Sequence, residues 1–236
     1  MAELLAIDLH ALAAETADGQ GASVDLGTRR RSVKVKTQVV AIAGGVTFVA
    51  RLETSPDDTN WRTAWQADVS AVGEVETARI VDRYVRAAWT ADGSVTFSMG
   101  GDAHTLYCVP ADIGDTALPE SALQSIDETK LVKACIAATS RADSWVGAAY
   151  TLPLVSWGPS LTEQVGLLAA AIVMRRRGVN PETSDVLVFD SERMAIKWFE
   201  RLGAARGGAS PPEIVDSTPD TYEGGSFVES ETTRGW

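Results

Sequence analysis

The sequence predicts an α+β protein of two domains: an N-terminal antiparallel β-sandwich of jelly-roll type, then a small α-helical bundle and an extended C-terminal tail. Apolar residues alternate at a period of two up to about residue 105, which is typical of half-buried strands. After about residue 117 they recur at a helical period. The predicted divisions are a sandwich at 1–117, a helical domain at 118–210 and an acidic tail at 211–236, whose composition cannot bury a core.

Turn residues divide the first half into short strands. Leu5, Ile7 and Leu9 share one face of a predicted first strand, although residues 11–14 would also suit a helical turn. Further strands are predicted at 33–42, 46–53, 61–65, 83–90 and 95–99. No helix is predicted between residues 20 and 105, so a second sheet is expected to cover the apolar face of the first.

Three helices are predicted after residue 117, and the first two follow capping-box spacings. The first, near residues 127–149, follows a capping-box spacing at 125–128. The second follows a similar spacing at 160–163 and ends in three arginines with Gly178 just beyond them. Its middle is apolar on nearly every side, which predicts that it is the central helix.

A third helix is predicted after a connector at residues 179–189. Asp190 or Ser191 would cap its first turn. Its predicted buried stripe consists of Met194, Trp198, Phe199, Leu202 and Ala205.

The composition describes a core-forming chain without a membrane span. The 236 residues have a mass of 25.1 kDa and a mean hydropathy of −0.02. No apolar run approaches the ~20 residues that cross a bilayer, and the N-terminus lacks the basic flank of a secretory signal. Cys108 and Cys135 are too few for a disulfide scaffold, which fits a reducing compartment.

The net charge of −11 is concentrated at the two ends of the chain. Residues 1–117 carry a net charge of −6 and residues 211–236 one of −5, whereas residues 118–210 are balanced. Tight sequence-independent binding of DNA needs several Lys or Arg at the phosphates. We therefore expect that this acidic chain does not bind DNA in this way.

The sequence contains no spacing typical of a catalytic or metal site. The patterns H-E-x-x-H, G-x-S-x-G, C-x-x-C and the P-loop are absent. His10 and His104 are isolated, and His104 is predicted to lie in a solvated loop. Asp57 and Asp58 suit turn chemistry better than a carboxylate pair. We therefore expect no enzymatic activity, no cofactor and no metal.

Aromatic and basic residues supply the candidates for contact with a partner. Five tryptophans are predicted to lie in the core: Trp61, Trp65, Trp89, Trp145 and Trp198. Trp157 in a loop and Trp236 in the tail have no such role and are candidate anchors, together with Tyr222 and Phe227. Two basic clusters could bind phosphate or an acidic protein, or could be a solvated strand entry and a dipole-matched helix end: residues 29–31, and Arg175, Arg176 and Arg177.

Four segments of the helical half carry a resemblance to a known family: residues 137–146, 150–154, 169–177 and 195–202. The step Y-x-x-P-L, here Tyr150, Pro153 and Leu154, and a later helix of the form A-x-x-W/F-L are typical of the small helical connector proteins of tailed bacteriophages. The chain resembles in particular the phage Mu-type family of head-completion or head-to-tail adaptor proteins. It departs from that pattern at Arg177-Gly178, where a Tyr is usual, and in its long N-terminal addition.

Two short segments of the sandwich half also resemble known modules. Residues 54–61 contain S-P-D-x-T-x-W and residues 83–90 contain R-Y-V-R. Both are similar to segments of β-sandwich modules in phage structural proteins. Related sandwiches also occur as carbohydrate-binding modules, so this half leaves the function open.

The resemblance implies a structural adaptor in the neck of a virion, assembled in the host cytoplasm. Such a protein forms a ring, commonly of twelve subunits, on the portal protein and lines part of the channel through which DNA passes without specific binding. Its implied partners are the portal protein, neighbouring copies and a tail-completion or tail-terminator protein, with capsid, collar or fibre proteins at the sandwich. In related adaptors a C-terminal extension reaches the portal, a role that residues 211–236 could fill.

The alternative is a carbohydrate- or protein-binding sandwich that the helical domain anchors to the virion. Exposed aromatic residues on a concave face of the sandwich would favour this alternative.

Overall fold

A computed structural model of the chain describes residues 5–27, 30–177, 185–204 and 214–215. The strands in these residues are β1 (Leu5–Glu15), β2 (Gly19–Gln20), β3 (Val24–Asp25), β4 (Arg30–Ile42), β5 (Phe48–Ser55), β6 (Arg62–Val69), β7 (Gly73–Ile80), β8 (Tyr84–Ala91) and β9 (Val95–Thr105). The helices are α1 (Pro110–Thr116), α2 (Glu120–Leu123), α3 (Glu128–Val146), α4 (Pro159–Arg177) and α5 (Asp185–Ala204).

The strands form two antiparallel sheets that pack face to face. One sheet has the order β1-β9-β4-β7, and the other has the order β2-β8-β5-β6 with β3 also paired to β8. If β2 and β3 are counted as one interrupted strand, the eight strands run 1-8-3-6 and 2-7-4-5, which is the order of a jelly roll. The predicted α+β class with an N-terminal sandwich is confirmed.

Period-two alternation explains the core of the sandwich. Val33, Val35 and Val39 of β4 are buried, whereas the lysines between them face solvent. Phe48 and Phe97 come from opposite sheets and meet in this core, where their ring centroids are 4.7 Å apart.

The sandwich differs from the prediction at β2, β3 and β7, which were not predicted, at β9, which extends to Thr105, and at β1. Strand β1 continues through residues 11–14, so the alternative of a helical turn there is wrong; pairing with β9 before and after this segment holds it extended, with register shifts on either side of His10. Strand β7 was not predicted because Glu74, Glu76 and Arg79 hide its alternation. The Glu74 and Glu76 side chains lie on the outer face, where they form ion pairs with Lys36 and Lys34 of β4.

The helical unit is built around α4, as its composition predicts. Leu161, Val165, Leu168 and Val173 are buried, together with the run of alanines at 169–171. Helices α3, α5 and α1 all pack against α4. The small side chains in the middle of α4 let the neighbouring helices approach closely. The three predicted helices, α3, α4 and α5, share one core.

The third helix begins earlier and faces differently than predicted. Helix α5 starts at Asp185, so the connector predicted at 179–189 is wrong from that residue onward. Its buried face is Val188, Glu192, Ala195, Phe199 and Leu202. Met194, predicted to be buried, is 63% exposed because the charged Glu192 occupies the inner face and rotates the stripe.

Helix α3 joins the helical unit to the sandwich along β7. Arg79 Nη1 donates to the Thr129 hydroxyl at 2.6 Å, and its Nε lies 3.4 Å from the Glu128 carboxylate. Lys133 forms an ion pair with Glu76, and Ile80 packs against the helical core. The buried apolar residues form two separate clusters, one in the sandwich and one in the helical unit. Helix α1 contributes Ile113 to the helical cluster. The predicted domain boundaries after residues 117 and 210 stay predictions.

Candidate functional site

Trp157, a candidate anchor, is half-buried and has a packing partner. Its ring meets that of Tyr107 edge-on, with centroids 4.9 Å apart. Tyr107 is itself fixed to α3, because its hydroxyl donates to Asp143 at 2.6 Å and its backbone N–H donates to Thr139 Oγ1 at 3.1 Å. The expectation that packing could not explain Trp157 is therefore wrong, and its contact with a partner stays a prediction.

The Trp157 ring also lines a cavity of about 610 Å³ between the sandwich and the helical unit. Arg31 lies on the sandwich side, and Tyr107, Cys108 and Asp112 lie on the helical side. Burial, followed by the hydrogen bond to Asp143, raises the pKa of Tyr107 far above its usual range. The Tyr107 phenol therefore stays neutral. The charged side chains that line the cavity are Arg31 and Asp112.

The loop before α4 also binds part of the predicted tail. Val215 pairs with Ser156 as an antiparallel bridge, with the Val215 N–H donating to Ser156 O at 3.0 Å and the Val155 N–H donating to Val215 O at 2.7 Å. Ile214 packs against the helical core. These two residues of the predicted tail are thus attached to the helical unit. Tyr222, Phe227 and Trp236 lie outside the described residues, so their predicted role stays a prediction.

The three arginines at the end of α4 have different surroundings. Arg175 forms an ion pair with Glu192 of α5 and packs over the ring of Phe189. Arg176 is exposed and lines a small pocket of about 180 Å³ with Lys130. The Arg177 side chain lies outside the described part of the structure. Arg175 therefore joins helices, which sequence reasoning missed because the buried Glu192 gives no local signal beyond its place on an apolar stripe.

The outer face of the β2-β8-β5-β6 sheet carries two aromatic rings, each packed on an arginine. The Arg86 guanidinium lies 4.1 Å from the centroid of Trp61, and the Arg83 guanidinium lies 5.0 Å from that of Tyr84. Trp61 is therefore half-buried on the outer face. The prediction that it lies in the core is wrong. The prediction failed because Trp61 precedes β6 and is not part of its alternation.

A carboxylate fixes each of these arginines. Arg86 Nε donates to Glu53 at 2.8 Å, with both side chains largely buried. Arg83 donates two hydrogen bonds to Asp25, at 2.9 and 2.6 Å. The hydrogen bond from Arg83, with a second from the Gly27 N–H, lowers the pKa of Asp25 to about 2.

The loop that carries Trp61 is held by Asp57. Its carboxylate accepts from the Thr59 N–H at 3.0 Å, the Asn60 N–H at 2.8 Å, the Asn60 side-chain amide at 2.6 Å and the Ser55 hydroxyl at 2.9 Å. These bonds, led by that of the Asn60 N–H, lower the pKa of Asp57 well below its usual range. The predicted turn role of Asp57 is therefore seen directly in the loop.

Both histidines are half-buried within strands of the sandwich. His104 lies within β9, and burial lowers its pKa, so the predicted solvated loop is wrong because β9 continues to Thr105. His10 is stacked on Phe97 with ring centroids 4.2 Å apart, and its Nε2 lies 3.2 Å from the Glu15 carboxylate. Cys108 and Cys135 are buried, and a hydrogen bond with the Cys135 thiol raises the pKa of Cys108. Within the described ranges, no group of three or more His, Cys, Asp or Glu could hold a metal ion.

Helix α5 presents large apolar side chains to solvent. Leu187 is 67% exposed and Met194 is 63% exposed. They lie seven residues apart and so project from the same side of the helix, next to the half-buried Trp198. In the portion of the chain that the structure describes, no helix is long and apolar enough to span a membrane.

Comparisons with known proteins find structural likenesses only. No protein family and no curated protein matches the sequence. The PBSX exported protein XepA is 21% identical, with a TM-score of 0.33. The match covers 43% of this chain and only 37% of the XepA chain. The SPBc2 prophage-derived protein YomS is 10% identical with a TM-score of 0.29, over 42% of this chain and 93% of its own. The Yersinia pseudotuberculosis-derived mitogen is 8% identical with a TM-score of 0.28, over 44% of this chain and 87% of its own. Likenesses at this level assign no function.

Proposed function

We propose that the chain is a structural adaptor of a tailed-phage virion, a head-to-tail connector. In this role the helical unit forms a ring with neighbouring copies on the portal protein and lines part of the DNA channel. A tail-completion or tail-terminator protein would bind below the ring, and the sandwich would lie outward towards capsid, collar or fibre proteins.

One observation carries this proposal, namely the exposed apolar side of α5. Because single exposed apolar residues are common, the argument rests on the heptad spacing of Leu187 and Met194 beside Trp198. A neighbouring copy can cover such a stripe with its own helices. The stripe borders a well-packed core, so it does not result from loose folding. The helical-half resemblance to connector proteins points to the same role.

The charge of the chain suits a channel wall. A net charge of −11 disfavours binding to the DNA backbone, so DNA can pass without being held. Arg141 and Arg175 are engaged by Glu192, which lowers the number of cations available for phosphate on the helical unit.

A reconstitution experiment tests the adaptor role. The full chain is mixed with purified portal rings, and the complex is examined by sedimentation and negative-stain microscopy. We expect a ring of the chain on each portal, and we expect L187E/M194E to prevent ring formation. E200K is the matched control, because Glu200 is exposed on α5 and does not lie on the side that carries Leu187 and Met194. Failure of the intact chain to bind, or an intact ring with L187E/M194E, would contradict the proposal.

A second variant tests the tail. Deletion of residues 216–236 retains Ile214 and Val215, which pack on the helical unit, and removes Tyr222, Phe227 and Trp236. We expect weaker attachment to the portal with an unchanged fold. Unchanged attachment would exclude the tail as the portal contact.

A further inference from the structure

We propose that the outer face of the β2-β8-β5-β6 sheet, around Trp61 and Tyr84, is a binding site for a neutral oligosaccharide. This inference does not rest on the adaptor role, and it assigns a ligand class to the sandwich.

The site consists of flat aromatic surface next to fixed polar groups. Tyr84 and Arg86 point outward from β8, whereas Val85 and Ala87 between and beyond them belong to the core. Arg86 covers one face of the Trp61 ring, which is half-buried, so its other face is the one available to a ligand. A pyranose ring presents C–H groups on a flat face, and such groups pack on aromatic rings.

The polar groups suit hydroxyls better than charges. Arg86 and Arg83 are paired with Glu53 and Asp25, so the charge of each arginine next to a ring is compensated. A carboxylate oxygen accepts from a sugar hydroxyl and a guanidinium N–H donates to one, so these pairs offer both halves of the hydroxyl's hydrogen-bonding capacity. To bind Arg83 or Arg86, an anionic ligand would have to break these pairs first.

The site is also rigid before any ligand binds. Four hydrogen bonds to Asp57 hold the loop that ends at Trp61. The pairs with Glu53 and Asp25 fix the arginines beneath the rings. Little side-chain entropy therefore remains to be lost on binding, which is the general benefit of preorganisation.

A protein partner fits this face less well. The neighbouring outward positions are mostly polar or small, such as Arg51, Gln66, Ala88 and Thr90. Protein interfaces need an apolar centre that excludes water, and this face provides isolated rings in a polar surround.

Titration of the full chain with defined oligosaccharides tests the proposal. Cellohexaose, maltohexaose and chitohexaose are each added at millimolar concentration, and binding is followed by isothermal titration calorimetry and by tryptophan fluorescence. We expect at least one of them to bind, and W61A to weaken that binding at least about tenfold. Y84A is expected to weaken it as well. M194A is the matched control, because Met194 is exposed on the helical unit, and it is expected to bind like the intact chain.

A second variant guards against loss of the fold. E53Q keeps the size of the side chain but removes the charge that fixes Arg86, and its thermal unfolding is compared with that of the intact chain. We expect a folded protein with weaker binding. Absence of binding to all three oligosaccharides by the intact chain, or equal binding by W61A or E53Q, would overturn the proposal. Attachment to portal rings is measured separately and would be unaffected by that outcome.

Discussion

Glu192 of α5 accepts a hydrogen bond from Arg141 of α3 at 2.9 Å, although the Glu192 side chain is only 5% exposed. Arg175 of α4 binds the second carboxylate oxygen, so one buried anion links all three long helices. Burying a carboxylate is costly unless cations and hydrogen bonds compensate it. The two arginines are partly exposed and can be rehydrated, whereas Glu192 cannot.

Removal of the arginines should therefore cost more than removal of the glutamate. We expect R141A/R175A to lower the free energy of unfolding by about 3 kcal/mol, because it leaves the carboxylate buried and unpaired. E192L should cost about 1 kcal/mol or less, since the neighbouring Val188 and Ala195 can pack on it. Urea denaturation measures both. R193A, which removes an exposed ion pair with Asp190, is the control and should cost less than about 1 kcal/mol. The reverse order of the two losses would show that Glu192 is not desolvated.

Y107F should change how stability depends on pH. Loss of the hydrogen bond to buried Asp143 is expected to lower the free energy of unfolding by about 2 kcal/mol at neutral pH. The folded state raises the pKa of Tyr107, so its contribution is complete below the unfolded pKa of about 10 and is lost as the pH rises above it. The stability of the intact chain should therefore fall more steeply than that of Y107F from about pH 9 to about pH 11. Parallel pH profiles would contradict this.

The facing of α5 can be tested with one buried and one exposed residue. F199A should lower the free energy of unfolding by about 3–5 kcal/mol, because Phe199 is fully buried against Trp145. M194A should change it by less than about 0.5 kcal/mol, since Met194 faces solvent. Thermal and urea denaturation of the two variants measure the difference. Equal losses would mean that Met194 is covered in solution.

G101A should disrupt the pairing of β4 with β9. A Cβ atom at Gly101 would lie 2.0 Å from the carbonyl oxygen of Lys34, a backbone atom that cannot move aside alone. We expect a loss of about 2 kcal/mol or more in the free energy of unfolding, measured by urea denaturation. G44A is the matched control: no heavy atom lies within 4 Å of its added Cβ, so it should be tolerated. Equal stability of the two variants would exclude the close strand approach.

The sequence predicts those elements whose apolar period is unbroken by charge. Strand β4 and helix α4 are clear because valines in one and alanines and leucines in the other give a single period. Strand β7 was missed because its outer face carries Glu74 and Glu76, and its buried residues include Thr77 and Ala78, which carry weak apolar signals. The facing of α5 was wrong because a charged residue, Glu192, lies inside, which only the arginines of two distant helices make possible.

The candidate site was less predictable than the fold for the same physical reason. Trp61 looks like a core residue by composition, and only its stacking on Arg86 places it on the outer face. The pairings of Arg86 with Glu53 and of Arg83 with Asp25 join residues 33 and 58 positions apart. No local pattern reports contacts at such separations.

The ion pairs and apolar contact along β7 and α3 give the junction a mechanical consequence. Arg79 and Ile80 connect the sandwich to the helix that packs directly on α4, so the two halves meet through side chains rather than a flexible hinge. A pull or twist applied to the sandwich would be transmitted along α3 into the centre of the helical unit. The sandwich and the helical unit would then move together, and a displacement of the sandwich would also displace α3 and α4.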